Sequence, residues 1–147
     1  MSIKFERGFA AAVRSRIYVD KTKLIAFTNS VLATEERFLC VSRPRRFGKS
    51  MAAKMLAAYY SRGCDSRQLF SNLDIAGISG FEKDLNSHNV IYLDMQWFQS
   101  VAKDKGMAEQ MVSYMQLEVI KEIQQQYPQI VSGQENSLPE VLLKIHF

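Results

Sequence analysis

Cysteine and histidine are scarce in this chain of 147 residues, which has two of each. Cys40 and Cys64 belong to no CxxC pattern and to no cysteine and histidine cluster with the spacing of zinc ligands. We therefore expect two reduced cysteines, and neither a disulfide scaffold nor a zinc or redox site. His88 and His146 lie far apart and are interpreted as packing or surface residues.

Long apolar runs are also missing from the sequence. No stretch approaches the roughly 20 consecutive apolar residues that a membrane helix needs, and the start MSIKFERGF has no apolar core like that of a secretory signal. These absences predict that the protein does not enter a membrane and that it is cytoplasmic. The chain is 47% hydrophobic and 11% aromatic, which is the apolar content expected of one globular domain.

Acidic residues are absent from the stretch RPRRFGKSM, residues 43–51, although the chain has 15 of them. The cations of this stretch are Arg43, Arg45, Arg46 and Lys49. The net charge of the whole chain is only +4, so the local concentration of positive charge is the more informative observation. A concentrated cationic loop indicates an anionic partner, either the phosphates of a nucleotide or a nucleic-acid backbone.

The residues around this loop predict a strand, a loop and a helix in that order. FLCV, residues 38–41, is a short apolar run with polar neighbours, which is typical of a strand buried in a parallel sheet. Residues 49–61 have apolar side chains at helical spacing, and VIYL, residues 90–93, is a second run of strand length. Further helices are expected at residues 21–31, 107–126 and 138–145. The expected fold is α/β, a parallel sheet flanked by helices.

The tripeptide GKS matches the end of the phosphate-loop motif GxxxxGK[ST], in which backbone N–H groups and a helix N-terminus bind phosphate. Gly48 would let the backbone approach a phosphate closely, and Lys49 would reach the β- and γ-phosphates. Ser50 would offer an oxygen to Mg²⁺. The candidate cofactor-binding residues are Arg45, Arg46, Phe47, Gly48, Lys49, Ser50 and Met51.

The first glycine of the motif is missing, since Arg43 occupies its position. A bare GKS triplet also occurs by chance, so an ordinary loop at the start of a helix is the alternative interpretation. The predicted strand before the loop and the predicted helix after it favour phosphate binding, because the motif requires that context.

Four separated segments resemble one family. YVDKTKLI at residues 18–25, CVSRPRRFGKSM at 40–51, DSRQLF at 65–70 and VIYLDM at 90–95 are similar to the AAA-ATPase-like family of bacterial proteins. In that family the phosphate loop reads RPRRFGKS, with arginine in place of the first glycine. The resemblance implies a P-loop ATPase with ATP and Mg²⁺ as cofactors, and residues 1–147 as the N-terminal part of a single domain. Family members are often followed by a PD-(D/E)XK nuclease-like domain, which would make nucleic acid a further partner.

Asp94 is the candidate for a second magnesium ligand, because it ends an apolar run as a Walker B acid does. No acid follows it, and the family's Asp-Glu strand would come after residue 147. The alternative interpretation is an acid in a turn at the end of a strand. Catalytic residues therefore remain unassigned, the sheet is expected to be incomplete, and we expect nucleotide binding without useful turnover. Tyr18 and Val19 are hypothesised to contact adenine.

Binding of ATP is the function that these observations favour. The alternatives are a basic module that binds nucleic acid through its arginines, and a non-catalytic fragment that binds a partner. Salt separates the first two, because contacts with several phosphodiesters weaken steeply as salt rises. A triphosphate held by backbone N–H groups and Mg²⁺ should respond less to salt.

Overall fold

The structure, a computed structural model, describes residues 3–42, 44–131 and 137–145. It is 57% helical with 1% strand. The helices of the described residues are α1 (Ile3–Val13), α2 (Lys23–Val31), α3 (Lys49–Tyr60), α4 (Arg67–Phe70), α5 (Met95–Asp104), α6 (Met111–Gln126) and α7 (Leu138–Ile145). Three short 3₁₀ turns lie at Glu35–Arg37, Asp74–Gly77 and Ala108–Gln110. The helices expected near residues 21–31, 49–61, 107–126 and 138–145 are confirmed, with small shifts at their ends.

The expected α/β fold with a parallel sheet is wrong. Residues 38–41 and 90–93 belong to no strand, and over the described residues the β-pairing consists of one isolated parallel bridge between Ser61 and His88. The first run is also not buried, since the exposed fraction is 82% for Phe38 and 52% for Val41. The fold is mostly helical.

The physical reason is that a strand depends on a neighbouring backbone as well as on its own side chains. Its N–H and C=O groups must pair with those of another strand, whereas an apolar run reports only a preference for burial. Among the described residues, packed helices supply the buried surface, and the two apolar runs find no ladder partner.

The chain divides into two compact units, residues 1–92 and residues 93–147, called here unit 1 and unit 2. This division does not decide whether residues 1–147 form one domain, which stays a prediction. In unit 1, helix α1 packs on α3. Fully buried Phe9 stacks on Phe70 with ring centroids 5.1 Å apart, and Tyr59 meets Phe70 edge to face at 5.6 Å. The core of unit 1 therefore contains a group of three packed aromatic rings beside aliphatic residues such as Ile25 and Met55.

Polar contacts also join the elements of unit 1. The Asn29 side chain of α2 donates to the Tyr59 hydroxyl of α3 at 3.0 Å, and the Tyr59 hydroxyl donates to the Phe81 carbonyl. The Asn86 side chain accepts from the Ser66 N–H at 2.9 Å. Partly buried hydrogen bonds of this kind fix how the elements meet, because they have a preferred direction.

Unit 2 contains α5, α6 and α7. One buried cluster in it is aliphatic and consists of Val119, Ile120, Ile123, Val131 and Val141. Phe98 and Ala102 of α5 are also buried. The Asp94 carboxylate caps α5 by accepting from the N–H groups of Gln96 and Trp97, both at 3.1 Å. An amphipathic helix needs only a stripe of such residues to pack against a neighbour, which explains why pattern alone predicted α6 and α7. Helix α5 was not among the predicted helices.

No helix in the described part of the chain combines the length and the apolar character needed to cross a membrane.

Candidate nucleotide-binding site

The candidate phosphate loop, residues 43–51, lies in unit 1 and leads directly into helix α3. Gly48 is the N-cap of that helix and has a left-handed backbone, with φ of 77° and ψ of 21°. Glycine adopts this conformation without strain, whereas a Cβ atom makes it unfavourable. The Gly48 carbonyl accepts the first helical hydrogen bond, from the Ala52 N–H at 2.9 Å. The left-handed backbone therefore gives a physical reason for a glycine at position 48.

Lys49 and Ser50 occupy the first turn of α3, and both are exposed. The first turn has no acidic residue, so the positive end of the helix dipole is not offset there. The Lys49 ammonium donates to the Pro44 carbonyl at 3.1 Å, and so folds back over the loop. This arrangement brings a cation, a hydroxyl and a helix N-terminus together, which is a combination that suits an anion.

The remaining predicted residues of the loop are distributed around this helix start. Arg45 and Arg46 are exposed, and Arg46 has a positive φ of 68°. Phe47 is 60% exposed, and Met51 is half-buried against the core of unit 1. Left-handed residues at Arg46 and Gly48 bend the loop sharply, and turns of this kind can direct backbone N–H groups toward an anion. Arg43 lies outside the described residues.

Lys21 is the residue that the sequence interpretation missed. Its ammonium donates to the Phe47 carbonyl at 2.9 Å, across 26 positions of sequence. A Cβ atom added at Gly48 would lie 3.0 Å from the same ammonium. The segment YVDKTKLI had signalled a family resemblance, but spacing along the chain could not show that its lysine contacts the phosphate loop.

Two neighbours of Lys21 hold its backbone in place. The Asp20 carboxylate accepts from the Thr22 N–H at 2.8 Å, from the Thr22 hydroxyl at 2.7 Å and from the Asp74 N–H at 2.7 Å. The fully buried Thr22 hydroxyl in turn accepts from the Ile75 N–H at 3.1 Å. Desolvation raises the pKa of Asp20, but the hydrogen bonds from Asp74 and Thr22 outweigh it, so this pKa lies below its ordinary value.

A cavity of about 210 Å³ adjoins the loop within unit 1. Its lining is mostly apolar and includes Tyr18, Val19 and Met51, with Lys21 and Gly48 also among the lining residues. Desolvation, followed by the negative charge of Asp20, raises the pKa of Tyr18 to about 12, which keeps its hydroxyl protonated at neutral pH. The two residues hypothesised to contact adenine therefore line a cavity next to the phosphate loop.

Asp94 lies in unit 2, and its Oδ1 atom accepts the two capping hydrogen bonds of α5. Capping alone explains why an acid occupies this position, and no metal is needed for that explanation. The role of Asp94 as a magnesium ligand stays a prediction. Among the described residues, no group of three or more histidine, cysteine or acidic side chains is arranged to hold a metal ion. Magnesium bound with a nucleotide needs fewer protein ligands, because phosphates and water complete its shell.

The sequence was also compared with known proteins. A family described as predicted AAA-ATPase, the AAA-ATPase-like family, matches residues 10–146. Neither the curated proteins nor the solved structures gave a match. The family match spans most of the chain and includes all of the phosphate loop and the YVDKTKLI segment. The chain therefore belongs to the AAA-ATPase-like family.

Proposed function

We propose that this chain binds a purine nucleoside triphosphate, ATP with Mg²⁺, at the candidate phosphate loop. The observation that carries the proposal is the left-handed Gly48 at the start of α3, followed by an exposed lysine and an exposed serine. Backbone N–H groups at such a helix start bind phosphate oxygens. Family membership supports the same conclusion, because the family is described as a predicted ATPase.

The adjoining cavity supports a purine as the base. Its wall includes the Tyr18 ring together with the aliphatic side chains of Val19 and Met51. Aromatic and aliphatic surfaces bind the flat face of a base, while polar groups are needed only at its edge. Because Lys21 and Gly48 also line this cavity, one ligand with an apolar end and an anionic end would match both parts.

The first turn of α3 has a suitable residue for magnesium. Ser50 offers an exposed hydroxyl there, and no acid of that turn competes for Lys49. Mg²⁺, when bound with ATP, neutralises charge on the β- and γ-phosphates. Ser50 would hold the ion, and Lys49 would bind the same phosphates directly.

The test is a titration of the protein with a fluorescent ATP analogue in the presence of Mg²⁺. Lys49→Ala should weaken binding on the order of 100-fold, because a charge-assisted contact in a partly desolvated site is lost. Lys23→Ala is the matched control, since Lys23 is 76% exposed and forms its ion pair with exposed Asp74, although its charge also acts on Asp20. Equal affinities for Lys49→Ala and the unaltered protein would reject the proposal.

Exposed Arg45 and Arg46 favour a second candidate function, binding of a nucleic-acid backbone. Contacts with several phosphodiesters would make affinity fall steeply as salt rises. The same titration is therefore repeated with a single-stranded oligonucleotide from low to high salt. Tight, salt-sensitive oligonucleotide binding that Arg45→Ala and Arg46→Ala remove, together with no binding of ATP, would favour this candidate.

A further inference from the structure

Two lysines from separate parts of unit 1 each hold one carbonyl group of the phosphate loop. Lys49 comes from helix α3 and donates to Pro44, whereas Lys21 precedes helix α2 and donates to Phe47. A sequence motif identifies only the first of them, because the second reaches the loop through the fold. The loop therefore has two ammonium groups from different parts of the chain in contact with its backbone.

Lys21 is held where it can act on a ligand of the loop. Asp20 and Thr22, on either side of it, are tied to the N–H groups of Asp74 and Ile75. Thr22 is fully buried, so the backbone at this point is fixed, while the Lys21 side chain remains exposed. An ammonium group positioned in advance loses little conformational freedom on binding, which increases its contribution to affinity.

The geometry also places the Lys21 ammonium next to Gly48, in the part of the loop that would hold a phosphate. An ammonium has three N–H donors, and the hydrogen bond to Phe47 uses one of them. The ammonium is adjacent to Gly48, where the absence of a side chain opens the backbone to a phosphate. It also lines the cavity that the base would occupy. A triphosphate joined to a base in this cavity would pass close to Lys21.

We propose that Lys21 is a second phosphate-binding cation, which binds the phosphate chain of the nucleotide together with Lys49. This inference rests on the proposed function, since it names a further residue of the same site. The competing explanation is that Lys21 only tethers the loop through the Phe47 carbonyl. The two explanations require different properties of the side chain at position 21. A tether needs a hydrogen-bond donor, whereas a phosphate ligand needs positive charge.

The experiment compares four variants: Lys21→Met, Lys21→Gln, Lys49→Met and Lys23→Met. Met removes both charge and donor from position 21, while Gln keeps an N–H donor without charge. Affinity is measured for a fluorescent ATP analogue with Mg²⁺, for inorganic triphosphate as a competitor, and for adenosine as a competitor. The inorganic competitor measures the phosphate contacts alone, and adenosine measures the base contacts alone.

We expect Lys21→Met and Lys21→Gln to weaken the ATP analogue and inorganic triphosphate about tenfold, as for loss of one charged contact. Adenosine should be bound as before, and Lys23→Met should match the unaltered protein. Lys21→Gln with full affinity would show a tether and overturn the inference, and so would unchanged affinity in Lys21→Met. If either outcome is found for Lys21 while Lys49→Met weakens binding, the inference about Lys21 is rejected and the proposed function is retained. Failure of the unaltered protein to bind the analogue would reject both.

Discussion

Unit 1 and unit 2 differ in what fixes their structure. The core of unit 1 contains stacked aromatic rings, and buried or partly buried hydrogen bonds join its elements, as at Thr22 and Tyr59. In unit 2 the buried cluster around Val119 and Val141 is aliphatic, although Phe98 is buried outside it. The described side-chain hydrogen bonds of unit 2 at Asp94, Lys105 and Lys121 are exposed.

Aliphatic packing stabilises a unit but tolerates different arrangements of its side chains. Hydrogen bonds have a preferred direction and therefore fix the position of a loop. The candidate phosphate loop lies in unit 1, where directional hydrogen bonds hold Lys21 and its neighbours.

The largest expected effect is the loss of an aromatic ring from the core of unit 1. Phe70→Ala should lower the free energy of unfolding by about 3–5 kcal/mol, because the ring is fully buried between Phe9 and Tyr59. Ile123→Ala in unit 2 should cost about 2 kcal/mol, since it removes a smaller side chain that is 8% exposed. Urea denaturation followed by circular dichroism measures both.

Phe38→Ala is the matched control for Phe70→Ala, because it makes the same chemical change at a ring that is 82% exposed. We expect it to change the unfolding free energy by less than about 0.5 kcal/mol. A cost at Phe38 comparable with that at Phe70 would mean that the run FLCV is buried after all. An equal cost at Phe70 and Ile123 would remove the contrast between the two cores.

A smaller effect is expected from substituting alanine for either of two glycines, one in each unit, whose backbone is left-handed. Gly48 has φ of 77° in unit 1, and Gly106 has φ of 67° in unit 2. Either substitution by alanine should cost about 1–2 kcal/mol of stability, because a Cβ atom strains this conformation. Only Gly48→Ala should also weaken binding of the fluorescent ATP analogue, since only Gly48 belongs to the phosphate loop.

Thermal unfolding and nucleotide titration of both glycine variants separate strain from binding. Loss of affinity in Gly106→Ala equal to that in Gly48→Ala would show that affinity merely follows stability. Unchanged affinity in Gly48→Ala would show that the left-handed turn is not needed for the ligand.

The smallest expected effect is an acid-dependent loss of stability in unit 1. The folded pKa of Asp20 is depressed, so its contribution is fully present above the ordinary Asp pKa of about 3.9. That contribution is lost as the pH falls from this value through the lowered folded pKa. Asp20→Asn should therefore flatten the stability profile below about pH 4. The change at neutral pH should be under about 1 kcal/mol, because the carboxylate is only partly buried.

The measurement is urea denaturation between pH 2.5 and 7 for the unaltered protein, Asp20→Asn and Asp65→Asn. Asp65 is exposed and serves as the control for removal of one acid from unit 1. If Asp20→Asn retains the full acid-dependent loss, the links from Asp20 to Thr22 and Asp74 do not stabilise the unit as described.

Local features of this chain were predictable from the order of its residues. Helix α6 has apolar side chains at helical spacing from Met111 to Ile123, and α3 begins immediately after the glycine that the motif required. Asp94 was interpreted as a metal ligand or as an acid in a turn at the end of a strand, and neither interpretation included its capping of α5. The capping is nevertheless local, because the carboxylate precedes the N–H groups of Gln96 and Trp97 by two and three residues. Each of these features depends on neighbours within about one helical turn.

The two predicted strands show where that reasoning fails. FLCV and VIYL have the composition of buried strands, yet neither belongs to a ladder in the described chain. Strand formation requires a partner that is distant in sequence, so a local pattern cannot supply the deciding information. Burial of the core by α1, α3 and α4 is likewise a property of packing between elements.

Residue order was enough to identify the family, the helix that follows GKS and the concentration of cations around it. These follow from residue identity and from spacing of a few positions, because backbone conformation and charge act locally. Only packing between distant segments brings Lys21 to the Phe47 carbonyl and makes Tyr18 and Val19 line a cavity next to Gly48. These contacts join segments about 26 to 30 positions apart, and the links from Asp20 and Thr22 to residues 74 and 75 hold them there. Directional hydrogen bonds over such separations form only after the chain has folded.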